Sequence, residues 1–395
     1  MEHVGARLRR WRVRRGLSQR VLAELAGFSQ GYVAQIESGA APLERRAARE
    51  ALARALQISV GELTGRPDDG APWSPVGAEA IAELRAGIVA LAVPVVAGRH
   101  RPTISGGDEP GVDVAALVRL YVACRYDLLV PALATALTSL AARDADGRGG
   151  PAHLRRVVEV CSTTVSTCVQ LGHPDLTPAM AAVAMRAAEQ LGEPAFLGLA
   201  NYTRIRAVGA TTGVERVVDD GIGLLQPHVG GDPVAAVLYG MHHLIRAEMA
   251  ARDGLAGTAA DHLDEAGRVA AYTGERADDW FSFGPTNVGM WRLAVLVALG
   301  DGPAGSTPPP GFRPEVVPSA QRRATYFIDL SRGLLQGRGH DDAAAAALFR
   351  AEVIAPQQVC ASDGAREALR TLLSRPRYGR DSRLRGLAGR AGIRD

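Results

Sequence analysis

The sequence predicts an all-α protein of 395 residues, in which a small head of five helices precedes a long array of paired helices. Aromatic residues make up 5% of the chain and apolar residues 47%, a balance that favours closely packed helices over sheet. From residue 112 onward, helix-length periodic segments alternate with short turns of Gly, Pro and Asp. No segment alternates apolar and polar residues as a half-buried strand would.

The first element of interest lies at residues 17–39, which predict two short helices joined by a tight turn. Ser18 and Ser29 are each placed to cap a helix, because a serine hydroxyl accepts from a backbone N–H that the first turn leaves unpaired. Gly27 suits a turn that needs a positive φ. The second helix combines an apolar face with a polar one. A helix-turn-helix needs this combination, since its second helix packs on a core and enters the major groove of DNA.

The charge of the chain is unevenly placed. Residues 1–65 carry 11 arginines and 6 acidic residues, whereas residues 66–395 carry 34 and 36, and the sequence has no lysine. A basic first helix beside a polar recognition helix indicates contacts with DNA phosphates, the alternative being a solvated helix face. The arginines of that first helix are Arg7, Arg9, Arg10, Arg12, Arg14 and Arg15.

A break follows the head. Residues 65–75 contain three prolines and two glycines, which cannot continue a helix. We therefore expect a DNA-binding domain at residues 1–65, a linker at 66–76 and a helical sensor and dimerisation domain at 77–395. The first helix of that body is expected over 77–93, and a polar loop over 98–111.

The remaining elements are predicted helices that pair along the chain. Two of them share the pattern Ala-x-x-x-Leu-x-x-Ala, starting at Ala259 and Ala344. Stacked helix pairs build an α-solenoid, whose concave surface binds small molecules, peptides or partner helices. The expected helices span 114–141 (one helix interrupted near Pro131, or two helices), 152–171, 176–191, 196–208, 214–225, 233–251, 258–272, 288–299, 319–336, 342–354 and 363–373.

Residues 4–65 resemble the Cro/repressor-type (XRE-like) helix-turn-helix family through Gly16-Leu17-Ser18-Gln19, Leu22-Ala23, Ala26-Gly27, Tyr32-Val33 and Ile36-Glu37. The whole chain resembles transcription regulators of high-GC Gram-positive bacteria, in which such a head precedes a tetratricopeptide-like body. Residues 283–288 (Phe-Gly-Pro-Thr-Asn-Val) and 323–332 (Arg-Ala-Thr-Tyr-Phe-Ile-Asp-Leu-Ser-Arg) carry that second resemblance. It implies a sequence-specific regulator, often of specialised metabolism, and leaves the effector unnamed.

The resemblance implies roles for individual residues of the head. Gln19 is expected to direct its amide and backbone N–H at a phosphate, which sets register without reading sequence. Gln30 and Gln35 are expected to face base edges, because glutamine pairs with adenine through two hydrogen bonds. Gly31 lacks the reading side chain that related repressors have there, and Glu37 is expected to pair within the head. The other expected DNA contacts are Arg10, Arg20, Ser29, Tyr32, Ser38 and, toward the minor groove, Arg45.

The expected partners follow from the size of one head. A single module buries a modest area on DNA, so we expect a homodimer on an inverted-repeat operator in double-stranded DNA. The chain shows no signal peptide and no apolar run of the roughly 18 residues that span a bilayer, which predicts a cytoplasmic protein without a membrane partner. Neither a catalytic motif nor zinc-type Cys/His spacing occurs, so we expect no enzyme, cofactor or metal site. The alternative function is an antitoxin-like or scaffold protein whose head contacts a protein.

Candidate effector contacts are polar or aromatic residues within apolar helices of the body. Asn287 and Trp291 form the favoured pair, because an aromatic wall beside an amide is typical of a small-molecule pocket. Arg322 and Asp329 share a helix face with Tyr326. Alternatively, Arg322 and Asp329 belong to a salt-bridge network. The other candidates, each of which is alternatively a core residue, are Tyr239, His242, Phe283, Thr286 and Tyr326.

Overall fold

The computed structural model describes residues 4–41, 43, 46–56, 58, 63, 76–93, 112–145, 150–209, 213–276, 280–379 and 381–393. Within these ranges the regular structure consists of 20 α-helices and three short 3₁₀ helices, without a strand, which confirms the predicted all-α class. The chain divides into two compact units. The first unit comprises residues 1–75 and 362–395, and the second comprises residues 76–361.

The N-terminal part of the first unit is a group of four short helices. The predicted caps are confirmed, since the N–H groups of Val21 and Tyr32 donate to the hydroxyls of Ser18 and Ser29 at 3.2 Å. Gly27 ends the second helix at φ 72°, a left-handed conformation that glycine adopts without strain. The four helices are α1 (Val4–Arg14), α2 (Gln19–Ala26), α3 (Gln30–Ser38) and α4 (Arg46–Leu56).

Helices α1 and α3 are in close backbone contact. A Cβ atom placed on Gly5 would lie 1.9 Å from the carbonyl oxygen of Ile36, so only glycine permits this approach. The shared core lies beneath the two helices and fixes the angle at which α3 is presented. Its largest buried side chains are Leu8, Trp11, Leu22, Val33, Ile36, Leu52, Leu56, Ile58 and Leu63.

The second unit consists of fourteen described helices. Consecutive helices pack as pairs, most extensively α8 with α9, α12 with α13 and α16 with α17, and α6 also contacts α16. The helices are α5 (Ala78–Ala92), α6 (Val114–Val122), α7 (Tyr126–Ala145), α8 (Pro151–Gln170), α9 (Thr177–Leu191), α10 (Pro194–Val208), α11 (Val214–Leu225), α12 (Pro233–Arg252), α13 (Ala256–Thr273), α14 (Pro285–Ala298), α15 (Gly302–Gly305), α16 (Ala320–Gln336), α17 (Asp341–Ile354) and α18 (Pro356–Ala361).

The ends of the second unit are joined by side chains of α18. Gln357 accepts from the backbone N–H of Tyr126 at 3.0 Å, and Gln358 accepts from the Tyr126 hydroxyl at 3.1 Å. Tyr126 is fully buried. A residue at the start of α7 is therefore held by residues more than 230 positions later, which ties α7 to α18, the last helix of the unit.

The first unit is completed by the C-terminal helices α19 (Asp363–Leu373) and α20 (Ser382–Arg390). Arg390 is 1% exposed, and its guanidinium carbon lies 4.6 Å from the ring centre of Trp11 in α1. This arrangement differs from the expected division, which assigned residues 362–395 to the body. Local periodicity located α19 but carries no information about which distant helix it packs against. The expected linker at 66–76 and the fifth helix of the head lie mostly outside the described residues.

Candidate functional site

The outward face of α3 is polar and exposed. Val33 and Ile36 are fully buried on its other face, where they pack in the core of the first unit. Because the helix is short and its two ends are capped by Ser29 and Gly39, this orientation is fixed. The exposed residues are Gln30, Gly31, Gln35 and Ser38.

Two neighbours shape this face. The Tyr32 ring lies 5.1 Å from the Phe28 ring, centre to centre, so one side of Tyr32 is anchored while the residue stays half-buried. Gly31 sits in open space, since a Cβ placed there meets no atom within 4 Å. Packing therefore does not require glycine at position 31. The absence of a side chain there affects only the exposed face of α3.

Beneath α3, the carboxylate of Glu37 joins three elements. Arg12 donates to its two oxygens from Nε at 2.6 Å and Nη2 at 2.9 Å, and Gln19 donates from Nε2 at 2.9 Å. Arg12 also donates from Nη1 to the carbonyl of Leu17 at 2.9 Å. Burial would raise the pKa of Glu37, but the hydrogen bonds from Arg12 and Gln19 outweigh it and hold the pKa below its ordinary value.

This network gives Gln19 a different partner from the expected one. Its amide donates to Glu37 within the head, whereas the sequence analysis directed it at a phosphate. The reason is that a carboxylate within reach accepts a stronger hydrogen bond than water does. Glu37 itself pairs inside the head, in the manner that the resemblance implied.

The surface around α3 is basic. Arg10 and Arg20 are exposed, and the Nε of Arg20 lies 4.0 Å from Glu24 with both side chains mostly in solvent. Such a pair leaves the charge accessible. Arg45 lies outside the described residues, so its expected minor-groove contact stays a prediction.

The charge of the whole first unit exceeds that of its N-terminal part. The unit carries 21 arginines and 12 acidic residues, a net charge of +9, and the second unit carries 24 and 30, a net charge of −6. Nine of the arginines belong to residues 362–395, where four residues are acidic. The sequence analysis missed this contribution, although the arginine-rich composition of the C-terminal segment was visible in it.

In the second unit, two of the candidate effector residues are engaged by neighbours. The hydroxyl of Tyr239 donates to Glu265 at 3.0 Å. His242 is fully buried between the carbonyl of Leu238, 2.7 Å from Nδ1, and the side chain of Asn201, 3.0 Å from Nε2. Burial lowers the pKa of His242 to about 4, so the ring is neutral at pH 7.

Three further candidates lie in or beside the core of this unit. Phe283 is fully buried, and its ring occupies the space that a Cβ on Gly240 would need. Thr286 donates its backbone N–H to Glu275 at 2.8 Å. Tyr326 is 4% exposed and packs against neighbouring phenylalanines. These positions fit the core alternative better than effector contact.

The favoured pair, Asn287 and Trp291, is brought together around an arginine. Asn287 donates to the carbonyl of Phe281 at 2.9 Å and accepts from the Nε of Arg322 at 2.8 Å. The guanidinium carbon of Arg322 lies 4.7 Å from the centre of the Trp291 ring. A buried cation on an aromatic face beside an amide is the most polar interior arrangement around any of the candidates.

Among the described residues, no group of three or more His, Cys, Asp or Glu side chains is arranged to hold a metal ion. The four cysteines are buried free thiols, and Cys161 and Cys168 are at most 1% exposed. None of the described helices combines the length and the hydropathy that crossing a membrane requires.

A family model described as a helix-turn-helix domain matches residues 3–64. The match covers the N-terminal head and does not extend to the helices of the second unit. No curated protein and no solved structure matches the chain. The geometry of α2 and α3 and this match agree that the head is a helix-turn-helix domain, which makes the chain a DNA-binding regulator in general terms.

Proposed function

We propose that the chain is a sequence-specific transcription regulator that reads an operator with α3. One observation carries this proposal: α3 has a buried apolar face and an exposed polar one, in a unit of net charge +9. Gln30 and Gln35 lie on the exposed face and contact base edges in the major groove, with adenine as the best-matched base. Tyr32, held by Phe28, contacts a thymine methyl group or a phosphate.

Phosphate contacts come from the basic surface around α3. Arg10 and Arg20 are its exposed members near the predicted groove, and such contacts make binding depend strongly on salt. One domain of this size buries roughly 600–1,000 Å² on DNA, which favours two copies on an inverted repeat with half-sites about 10 bp apart or a multiple of that. The second unit serves as the dimerising element.

The second unit is also the sensor in this proposal. Its net charge of −6 makes it unsuited to DNA, and its tetratricopeptide-like helix pairs offer a surface for a small-molecule or peptide effector. We infer a cytoplasmic regulator, of specialised metabolism in the lineage that the sequence resembles, whose body senses without catalysing a reaction.

The decisive test compares two variants on a panel of DNA sequences. Gln35→Ala should reduce the discrimination between the preferred operator and its single-base variants by roughly 5- to 150-fold, because a bidentate base contact contributes about 1–3 kcal/mol. Arg10→Ala is the matched control, which should weaken binding to all sequences alike and reduce the salt slope by about one. Footprinting and mobility shifts at several salt concentrations measure both effects.

Two outcomes would count against the proposal. Unchanged base preference in Gln35→Ala would mean that α3 does not read the groove. A full-length protein that shows no salt-dependent shift with DNA from its own promoter region, yet captures a protein partner through the head, would favour the antitoxin-like or scaffold alternative.

A further inference from the structure

Several arginines of the second unit have a buried nitrogen without a hydrogen-bond partner among the described residues, and Arg206 and Arg322 are two of them. The Nε of Arg206 in α10 and the Nη2 of Arg322 in α16 are shielded from solvent and have no hydrogen-bond partner among the described residues. A buried donor left in this state costs about 1–3 kcal/mol, and more when it is charged. Folded proteins rarely keep such a group without a use for it.

Arg206 is the more isolated of the two. It makes no hydrogen bond or ion pair within the described part of the chain, and its electrostatic neighbours are chiefly the hydroxyls of Tyr202 and Tyr121. Tyr202 lies one turn earlier on α10, so the two side chains share a face of that helix. The guanidinium stays charged, because arginine does not lose its proton in proteins.

Arg322 is fixed in position but incompletely satisfied. Asn287 accepts from its Nε and Trp291 lies under its plane, which leaves Nη2 without an acceptor. Burial lowers the pKa of Arg322, and the carboxylates of Asp329 and Glu248 oppose that shift. Arg322 and Arg206 lie near the same aromatic residues: Asn287, which accepts from Arg322, donates to the carbonyl of Phe281, and the Phe281 ring lies 4.9 Å from that of Tyr202, one turn before Arg206.

Aromatic rings from α6, α10 and residues 280–281 form a cluster near Arg206 and Arg322. Trp280 lies 5.8 Å from Tyr121 of α6 and 6.3 Å from Tyr202 of α10, between ring centres. Phe281 lies 4.9 Å from Tyr202 and 5.2 Å from Trp280. Tyr202, Trp280 and Phe281 are only partly buried, so the cluster reaches the solvent. These aromatic side chains therefore provide apolar surface beside the guanidinium groups of Arg206 and Arg322.

The nearby acidic groups are paired with other arginines. Glu248 accepts from Arg252 at 2.6 Å, and Asp329 pairs with Arg332 at 3.5 Å. Burial raises the pKa of Asp329 to about 6. Neither Arg206 nor Arg322 forms an ion pair with a described carboxylate, so the local balance favours an added anion.

We propose that Arg206 and Arg322 bind the carboxylate of a small aromatic acid, whose ring packs among Tyr121, Tyr202 and Trp280. A guanidinium donates two parallel hydrogen bonds to a carboxylate, and aromatic side chains with a few convergent polar groups are typical of small-molecule sites. The inference rests on the proposed function, since it names the chemical class of effector that the second unit would sense.

Titration calorimetry on the full-length protein tests this assignment. The probes are benzoate, salicylate and indole-3-acetate, each beside its neutral amide, together with inorganic phosphate. At least one acid should bind tenfold or more tightly than its amide, and Arg206→Met and Arg322→Met should each weaken that binding at least tenfold. Arg204→Met is the matched control, because Arg204 lies on the same helix but is exposed, and binding should be unchanged.

The thermal midpoint of each variant separates a binding role from a structural one. Replacing a half-buried arginine whose buried Nε has no partner with an apolar chain of similar length removes a desolvation cost, so ligand-free Arg206→Met should keep or raise its midpoint. Equal affinity for acids and amides, binding of phosphate alone, or no binding of any acid would overturn the proposal.

The two proposals fail separately. Mobility shifts with operator DNA, run without probe, report on the regulator function alone. A protein that binds DNA but no aromatic acid would remove the effector assignment and leave the regulator intact. A protein that binds an acid through Arg206 but binds no DNA would remove the regulator and keep the site.

Discussion

Arg12 in the first unit and Arg206 in the second are both half-buried arginines, yet their surroundings differ. Arg12 donates from three nitrogens to Glu37 and to the carbonyl of Leu17, and Glu37 is completed by Gln19. Arg206 donates to no described atom. A buried charge with a full set of hydrogen bonds holds a fold together, whereas one without them weakens it. The hydrogen bonds of Arg12 give it a structural role, whereas Arg206 is the arginine for which we propose a ligand.

The same contrast holds for the two units as wholes. The first unit contains the bonded network of Arg12, Glu37 and Gln19 and has a net charge of +9. The second unit has a net charge of −6 and contains Arg206 and Arg322, each with a buried nitrogen that has no partner among the described residues. Substitutions in the head network should therefore reduce stability, and substitutions at Arg206 should reduce binding. Three further predictions test this distinction, in order of expected size.

The largest effect is expected from Glu37→Ala. It leaves Arg12 buried without its carboxylate, and breaking a buried pair in this way costs about 3–4 kcal/mol. Hydrogen exchange of the α1 and α3 amides measures the loss within the first unit. Glu24→Ala is the control, because Glu24 faces solvent beside Arg20 and its removal should change stability by less than about 0.5 kcal/mol. Similar losses in both variants would show that the network is not structural.

The second effect is a loss of stability on mild acidification, confined to the second unit. Burial lowers the pKa of His242 to about 4 from 6.5, so its contribution is present above pH 6.5 and is lost as the pH falls toward 4. The loss amounts to roughly 3 kcal/mol. His243 acts in the same direction, while Asp329, with its pKa raised to about 6, opposes it.

Thermal midpoints between pH 7 and pH 4 check this prediction. His242→Gln should flatten the profile, because a neutral amide does not titrate. Glu37→Gln should leave that window unchanged and alter the profile only below about pH 4.5, since the lowered pKa of Glu37 delays its protonation. A profile that His242→Gln leaves as steep as before would contradict the assignment to the second unit.

The third effect concerns Arg390, which lies over Trp11. Arg390→Ala removes a desolvated cation–π contact and leaves a cavity, at a cost of about 2 kcal/mol to the first unit. Faster hydrogen exchange in α1 would report it, together with weaker binding to every DNA sequence. Arg383→Ala on the exposed side of α20 should leave exchange in α1 as in the wild type.

Much of the local structure was predictable from the sequence. The helices expected at 214–225 and 363–373 have those bounds in the structure, and the caps at Ser18 and Ser29 form as predicted. Signals of this kind act within a few residues, through a side chain bonding to its own first turn or a glycine ending a helix. The helix-turn-helix consists almost entirely of such local signals.

What the sequence could not provide depends on contacts between distant positions. Arg390 contacts Trp11 across almost the whole chain, and Gln19 of α2 donates to Glu37 of α3. No periodicity encodes either pairing. The isolation of Arg206 was equally hidden, since a lone arginine on an apolar helix gives no sign of what surrounds it in the fold.

The contact between Arg390 and Trp11 also has a consequence for the order of synthesis. Helix α1 leaves the ribosome early, but residue 390 follows only after the entire second unit has been made, roughly 20–80 s later at elongation rates of about 5–20 residues per second. A nascent chain interrupted anywhere in that interval lacks the contact between Arg390 and Trp11. The protein therefore completes its first unit only once the whole second unit has been synthesised.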